Sequence, residues 1–350
     1  MTLRQLVLLL TVCLVLFGLI MIGSSSVVDA SRDFGDKWYY LKLQSFWVFL
    51  GLIGFFIAGR FPHRRLENLA TPFFLITIVF LVAVLIPHFG IKLLGARRWL
   101  NLGLVSFQPS EVTKLTFALY LSALLTKPVK FLHFLASLGL VGGLIVLEPD
   151  LGTTLIVGGM AMAIFFTSQG KLKHLLFLLA LSALSIGLLI FISPYRLARF
   201  RTFLNYSHDP LGSSYQVRQA LLAVGSGGLT GVGLGQSRQK YQFLPEVTTD
   251  SIFAIVAEEL GLFGAASVIL AFLLLTMTGL NIAKSAAHKF SSNLAVGITS
   301  VVSLQALINI SSNIALLPFT GIPLPFISYG GTSLVVLMIG MGILFNIANA

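Results

Sequence analysis

Charged residues are scarce in this chain. Asp, Glu, Lys and Arg make up only 10% of its 350 residues, while hydrophobic residues make up 56%. Soluble domains carry roughly 25% charged residues, so this chain cannot cover a globular surface in water. The composition excludes a cytosolic enzyme, a disordered protein and a secreted scaffold. It predicts an all-α polytopic integral membrane protein.

Cysteine is nearly absent as well. The single Cys13 excludes a disulfide framework and a multi-cysteine metal site. The 23 basic residues outnumber the 12 acidic ones, which gives a net charge of +11. Because long apolar runs separate these charges, nucleic acid is not an expected partner. Anionic lipid head groups or an anionic substrate fit the charge better.

Ten apolar segments are long enough to cross a bilayer, which needs about 20 residues per helix. The first exceeds the apolar stretch of a signal peptide and is expected to remain as an anchor. The ten together predict a single transmembrane domain over residues 1–350. They run approximately over Leu3–Gly23, Leu41–Gly59, Ala70–Ile86, Ser110–Leu125, Phe131–Leu147, Leu151–Thr167, Leu172–Ser193, Asp250–Leu280, Ser291–Leu317 and Pro325–Asn349.

Basic residues in the short loops predict that both termini are cytoplasmic. With that orientation the inner loops hold ten basic residues and one acid, Glu67. The ten are Arg4, Arg60, Arg64, Arg65, Lys127, Lys130, Lys171, Lys173, Lys284 and Lys289. The outer loops then cover about 24–40, 87–109 and 194–249, and the long one between the seventh and eighth segments is of the kind that usually carries function.

The first polar cluster spans the start of the fourth segment. Glu111 and Lys114 are three residues apart, so they share one helix face just inside the membrane. They form either an internal ion pair or, with Arg98 and Gln108, an outward-facing anion-binding edge. Arginine suits phosphate because its planar guanidinium donates two parallel hydrogen bonds.

The second cluster is the short turn between the fifth and sixth segments. Glu148 and Asp150 lie there on either side of a proline. Two carboxylates at one membrane boundary could hold a divalent cation or accept hydrogen bonds from Arg or Lys. The alternative role of Asp150 is to cap the sixth helix, which is favoured over a metal role.

The third cluster lies in the long outer loop. The glycine-rich run at 231–235 has no preceding strand and no Lys-Ser/Thr pair at P-loop spacing, so a nucleotide-binding loop is excluded. Lys240 and Glu246 follow it, and Asp250 stands at the mouth of the eighth segment. Asp250 is either the cap of that helix or a general base, which needs a carboxylate near a partly dry surface.

The fourth cluster is the adjacent pair Glu258 and Glu259, deeper along the same segment. Neighbouring helix positions differ by about 100°, so the two acids are not expected to face one partner, and a structural role is favoured. Asn309 and Asn313 complete the polar set. Prolines and glycines over 323–331 bend the start of the tenth segment, which indicates a cavity there.

Four motifs in this order resemble the SEDS family (shape, elongation, division and sporulation) of peptidoglycan polymerases, represented by FtsW and RodA. They are Arg97-Arg98-Trp99-Leu100 with Gln108-Pro109-Ser110-Glu111, Pro149-Asp150-Leu151-Gly152, Phe243-Leu244-Pro245-Glu246 before Thr249-Asp250, and the run from Leu324 to Gly331. The resemblance covers nearly the whole chain. It implies an inverting glycosyltransferase that polymerises lipid II, the undecaprenyl-pyrophosphate-linked disaccharide, at the outer face of the bacterial plasma membrane.

The resemblance also implies roles for individual residues. Asp250 falls on the family's essential aspartate and would be the catalytic base. Substrate-binding roles are expected for Arg98, Gln108, Glu111, Lys114, Lys240, Glu246 and Ser328, and a metal-binding role for Asp150. A divalent cation, Mg or Mn, is the expected cofactor, and no organic cofactor is expected.

The implied partners are lipid II and the nascent glycan strand, a cognate class B penicillin-binding protein, and membrane proteins of the divisome or elongasome. The loop sequences resemble the division branch, FtsW, more than the elongation branch, RodA. Thr248 and Ser106 depart from residues common in the family, His and Arg, and leave phosphate contacts open. A lipid II flippase is the alternative from another class, and a purely structural scaffold is a third.

Overall fold

The structure is a computed structural model that describes residues 1–93, 96–101, 103, 106–204, 214–241 and 243–349. These residues form thirteen helices and one three-stranded sheet. The helices are α1 (Leu3–Ser25), α2 (Val27–Phe34), α3 (Tyr39–Arg60), α4 (His63–Leu85), α5 (Pro109–Leu124), α6 (Phe131–Leu147), α7 (Leu151–Gln169), α8 (Leu172–Ile192), α9 (Pro194–Leu204), α10 (Tyr215–Ser226), α11 (Ile252–Ser285), α12 (Lys289–Asn313) and α13 (Gly331–Ile347). The strands are β1 (Gly90–Leu93), β2 (Ala96–Asn101) and β3 (Ser106–Phe107).

Ten of the helices coincide with the ten apolar segments. Seven are long and apolar enough to cross a membrane, namely α1, α3, α4, α7, α8, α11 and α12. Helices α5, α6 and α13 are shorter, with 16, 17 and 17 residues. The protein is therefore a multi-pass helical membrane protein, and the count of ten spans stays a prediction.

The predicted outer loops contain more secondary structure than their composition indicated. The 87–109 loop holds the sheet, in which β2 pairs antiparallel with both β1 and β3. Helix α2 lies within 24–40, and α9 and α10 lie within 194–249. Short helices and a small sheet lack the long apolar run that predicts a membrane-spanning helix. Parts of both long loops lie outside the described residues.

The last helix begins later than the sequence predicted, at Gly331 rather than Pro325. The preceding residues stay non-helical because their polar groups bond elsewhere. The Tyr329 N–H donates to the Thr248 carbonyl at 2.8 Å, and the Ser328 hydroxyl donates to the Thr249 carbonyl. The extended stretch from Ile314 to Gly330, here named the 314–330 segment, is thereby tied to the residues just before α11.

Helix α12 is the axis of the bundle. It packs against α4, α5, α7, α11 and α13. In the most apolar stretch of α12, 72% of the residues are buried within the protein, whereas only 6% are buried in that of α8. Helix α8 therefore faces lipid. Gln305, Asn309 and Asn313 recur every four residues on α12 and share one face, since such spacing stacks side chains along a helix.

Candidate active site

Asp250 lies two residues before α11, where the backbone is fixed by amide side chains of α12. The Nδ2 atoms of Asn309 and Asn313 each donate to the Asp250 carbonyl oxygen at 2.9 Å. Ser251, not Asp250, occupies the N-cap position of α11, so the capping alternative for Asp250 is wrong. The Asp250 carboxylate is left free for another role.

The same face of α12 also holds the 314–330 segment. Asn309 Nδ2 donates to the Ile322 carbonyl at 2.7 Å, and Gln305 Nε2 donates to the Pro323 carbonyl at 3.0 Å. Gly321 brings this segment beside the carboxylate, because a Cβ built there would lie 3.4 Å from Asp250 Oδ2. One polar stripe on α12 therefore positions both sides of the site.

Ser328 contributes to this framework from within. Its side chain is 5% exposed. Its hydroxyl donates to the Thr249 carbonyl and accepts from the Leu324 N–H at 2.8 Å. These contacts position the residue before Asp250, and the predicted substrate contact of Ser328 stays a prediction.

Burial and neighbouring charges set the protonation of Asp250. The carboxylate is only partly exposed, and its surroundings together raise its pKa to about 7. Burial is the largest cause of this rise and the negative charges of Glu246 and Asp150 add to it, whereas the guanidinium groups of Arg199 and Arg98 oppose it. A carboxylate with a pKa near the working pH is suited to general-base catalysis.

Arg98 projects from β2 onto the turn between α6 and α7. Its Nε donates to the Glu148 carbonyl at 3.0 Å, and its Nη2 donates to the Pro149 carbonyl. The guanidinium thus uses backbone carbonyls for its position and keeps its charge close to Asp250. Lys114 does not join Arg98 in an outward-facing edge, because it is buried in the ion pair with Glu111, and anion binding by Arg98 stays a prediction.

Two arginines of α9 were not predicted as site residues from the sequence, and one of them, Arg199, acts on the Asp250 carboxylate. Arg199 on α9 donates from Nη1 to the Phe319 carbonyl at 2.9 Å. Arg196, one turn earlier, lies close enough to Arg98 that the two charges lower the pKa of Arg196, after the larger effect of burial. The two arginines are three residues apart, which would place them on one face of a helix. The sequence predicted no helix at this point of the loop.

Glu111 and Lys114 lie inside the bundle. Their side chains are about 4% and 1% exposed. Lys114 Nζ lies 2.8 Å from Glu111 Oε2 and donates to Gln305 Oε1 at 2.8 Å. This is the internal ion-pair alternative, linked through Gln305 to the 314–330 segment. Direct contact of the pair with substrate stays a prediction.

Lys240 and the two buried glutamates fold the glycine-rich loop onto α11. Lys240 Nζ lies 3.3 Å from Glu259 Oε1 and donates to the Gly235 carbonyl. The expectation that Glu258 and Glu259 do not share a partner is wrong. The Ser237 hydroxyl donates to Glu258 and the Ser237 N–H donates to Glu259 at 3.3 Å. One residue reaches both acids because its backbone and side chain point in different directions.

The glycines of that loop serve close backbone packing. Gly261 has φ +66° and interrupts the helical geometry of α11. At this kink the carbonyls of Glu258 and Glu259 each accept an N–H at 3.0 Å, from Val232 and Gly233. A Cβ at Gly231 would collide with the Glu259 carbonyl, so only glycine fits. The run therefore packs closely against the kink of α11.

Gln108 and Glu246 lie at the edge of the site. Gln108 precedes α5 and donates from Nε2 to the Ser110 hydroxyl at 3.1 Å. Glu246 is exposed and accepts from the Thr249 hydroxyl at 2.8 Å. Both side chains remain accessible enough for the substrate contacts predicted from the sequence, which stay predictions.

The two carboxylates at the α6–α7 turn have different surroundings. Asp150 accepts from the Thr153 N–H at 3.0 Å and from its hydroxyl at 2.9 Å, so it caps α7. Both carboxyl oxygens of buried Glu148 lack a hydrogen bond, and burial raises its pKa to about 9. The described residues contain no group of three His, Cys, Asp or Glu placed around a metal ion. The metal role of Asp150 stays a prediction.

An apolar groove on the surface of α3 does not coincide with these polar residues. It has a volume of about 820 Å³ and follows the outer side of α3, between Phe49 and Pro62. Its lining is almost wholly apolar. In the most apolar stretch of α3, only 17% of the residues are buried within the protein. We assign it to the lipid-facing surface, because polar groups with a specific function converge around Asp250 and not there.

Fold and site together define a multi-pass membrane protein with a partly buried carboxylate among arginines at one end of its helical bundle. The chain belongs to the FtsW, RodA and SpoVE family of cell cycle proteins, whose model matches residues 4–350. This confirms the resemblance to the SEDS family.

Individual relatives match over nearly their whole length. The chain is 38% identical to stage V sporulation protein E of Bacillus subtilis, over 98% of this chain and 96% of that protein. It is 39% identical to a probable peptidoglycan glycosyltransferase FtsW of Legionella pneumophila, over 95% and 88%. A solved structure showing the structural coordination of polymerization and crosslinking by a peptidoglycan synthase complex superposes with a TM-score of 0.82, at 26% identity over 98% and 96% of the two chains.

Proposed function

We propose that this protein is a peptidoglycan glycosyltransferase that polymerises lipid II with inversion at the anomeric carbon, and that Asp250 is its general base. The observation that carries the proposal is the environment of Asp250. Its pKa is raised to about 7, mainly by burial, and the arginines that oppose this rise are of the kind that bind phosphate.

The proposed reaction joins two lipid-linked sugars. Asp250 accepts the proton of the acceptor's 4-hydroxyl while that oxygen attacks the anomeric carbon of the donor. The new bond is a carbon–oxygen bond between the sugars, and the bond from the anomeric carbon to the undecaprenyl pyrophosphate breaks with its electron pair. The configuration inverts because attack and departure occur on opposite faces.

The leaving group is an anion and needs positive charge more than a proton. Arg98 and Arg199 provide that charge near Asp250, and Arg196 lies close to Arg98. Their guanidinium groups are held by backbone carbonyls, so they are oriented before substrate binds. Preorganised charge of this kind stabilises a developing anion at little cost of reorganisation.

Names and structures of relatives support this activity. Curated relatives at 35–39% identity carry the name probable peptidoglycan glycosyltransferase. The structurally similar peptidoglycan synthase complex combines polymerization with crosslinking, which supports a class B penicillin-binding protein as partner of this chain. We further propose that the protein acts in septal synthesis with the divisome, and the alternative is a role with the elongasome. We also propose that the site faces outward and that both termini are cytoplasmic.

A divalent cation remains part of the proposal as a requirement of the reaction. Mg²⁺ commonly binds through one or two carboxylates and substrate phosphates, with water in its remaining positions. Such a cation would not need three protein ligands. Removal of divalent cations with EDTA and restoration with Mg or Mn tests this requirement directly.

The experiment that tests the function uses the purified protein with its transpeptidase partner and lipid II. Glycan polymers separated by electrophoresis are the expected product. A parallel assay measures lipid II translocation across the bilayer of liposomes that contain the protein alone. If the protein translocates lipid II, and no polymer forms with or without the transpeptidase partner, the result would favour the flippase and contradict the proposal.

A further inference from the structure

A second polar pocket lies at the opposite end of α12 from Asp250. Residues Lys289 and Asn313 are separated by the length of that helix, about 36 Å at 1.5 Å per residue. The pocket has a volume of about 230 Å³. Its lining comes from the start of α4, the end of α5 and the start of α12, and consists of Arg64, Glu67, Thr126, His288, Lys289, Phe290 and Ser291.

Two helix N-termini meet at this pocket without side-chain caps. Pro62 precedes α4 and His288 precedes α12, and neither side chain accepts a backbone N–H of its helix. Helices of 23 and 25 residues each carry partial positive charge and unsatisfied N–H groups at this end. The start of a helix is a ready site for an anion.

An unpaired buried hydroxyl points to a ligand independently. Ser291 is 2% exposed, its Oγ has no hydrogen-bond partner, and the residue lines the pocket. Thr126, also in the lining, instead donates to the Ala123 carbonyl at 2.8 Å. An unsatisfied buried hydroxyl costs free energy, so a partner that fills the pocket would recover it.

The side chains around the mouth favour negative charge. Arg64 and Lys289 are exposed cations, His288 adds a ring that can donate, and Glu67 is the one acid in the lining. The positive-inside rule accounts for basic residues at this face of the membrane. It does not account for a cavity, two uncapped helix starts and a buried hydroxyl at the same place.

We propose that this pocket binds a phosphate group, carried either by an anionic lipid head group or by a free phosphate ion. Arg64 and Lys289 supply the charge, the N–H groups at the start of α12 supply donors, and Ser291 donates its hydroxyl. Basic pockets between helix ends at a membrane surface are known to bind anionic head groups. The site is separate from Asp250 and does not depend on the reaction proposed there.

The test measures binding to the full-length protein in a neutral detergent. The probes are short-chain phosphatidylglycerol, short-chain phosphatidylcholine and inorganic phosphate. We expect Arg64→Gln and Lys289→Gln each to weaken binding about tenfold, as loss of one charge-assisted hydrogen bond predicts. Arg65→Gln is the matched control, because Arg65 is an exposed neighbour outside the pocket lining, and it should change binding less than twofold.

Ser291→Ala separates a ligand contact from a structural role. Because the hydroxyl has no partner within the protein, its removal should leave the melting temperature unchanged or raised, while binding weakens. Binding of phosphatidylglycerol alone assigns the site to a lipid, and equal sensitivity of inorganic phosphate to the same substitutions assigns it to a free anion. The proposal would be overturned if neither phosphatidylglycerol nor inorganic phosphate binds. It would also be overturned if Arg64→Gln and Lys289→Gln change binding no more than Arg65→Gln does.

Discussion

The side-chain amide of Asn309 lies 2.9 Å from the backbone carbonyl oxygen of Asp250 and donates a hydrogen bond to it. The same nitrogen donates to Ile322, on the other side of the site, at 2.7 Å. Asn309 therefore links the backbone of Asp250 directly to the 314–330 segment, while Asn313 and Gln305 each support one side of that link. The geometry of the site depends on a residue that has no need to contact substrate.

Replacing Asn309 with leucine should lower polymerisation more than it lowers lipid II affinity. The Ile322 carbonyl loses the donor that Asn309 provides, and the Asp250 carbonyl keeps only Asn313, which costs about 1–3 kcal/mol of stability and loosens the position of Asp250. Asn293→Leu is the matched control, because Asn293 donates to Ser122 near the other end of α12. It should cost stability without a selective loss of turnover. Equal turnover in the two variants would show that Asn309 does not position the base.

The pH dependence of polymerisation should follow the ionisation of Asp250. A general base acts when unprotonated, so the rate should fall as the pH drops below about 7. Glu246→Gln should move this acidic limb to lower pH, because the Glu246 charge raises the pKa of Asp250. Arg199→Gln should move the limb to higher pH. Rate profiles measured in buffers of constant ionic strength check both shifts, and identical profiles for all three proteins would refute the assignment.

Arg199 should act on the leaving group as well as on the base. Arg199→Lys keeps the charge but loses the planar guanidinium, and we expect polymerisation to fall roughly tenfold or more. Arg201→Gln is the control, since Arg201 is an exposed arginine on the same helix. Steady-state rates with purified lipid II provide the comparison. A larger loss in the Arg201 variant would remove the proposed role from Arg199.

The buried pair on α5 should prove to be a unit of stability. Lys114→Met leaves Glu111 as an unpaired buried charge and should destabilise the fold by about 3–5 kcal/mol. The double change Glu111→Gln with Lys114→Met should recover much of that loss, because no isolated charge remains. Thermal unfolding in detergent measures both. Should the double variant be stable and still lack activity, a substrate role for the pair would be favoured instead.

The fold was predictable where hydrophobicity alone decides structure. Long apolar segments coincide with ten helices, and Pro109 and Asp150 stand at helix starts as their chemistry predicts. The site was harder because its geometry comes from distant contacts. The pairing of Lys114 with Gln305 spans 191 positions, and the Arg98 contact with Glu148 spans 50. Arg199 was missed because a short polar helix has no apolar signal, and only its contact with Phe319 reveals its place.

The general-base role of Asp250 is the central claim, and one measurement tests it most directly. Polymerisation of purified lipid II is compared among wild type, Asp250→Asn and Asp250→Ala, each with the same transpeptidase partner. Asp36→Asn serves as the control, because Asp36 is an acid at the surface paired with Lys42. We expect no glycan polymer from either Asp250 variant, normal folding of both, and full activity in the control. Polymer formation by Asp250→Asn at the wild-type rate would contradict the account.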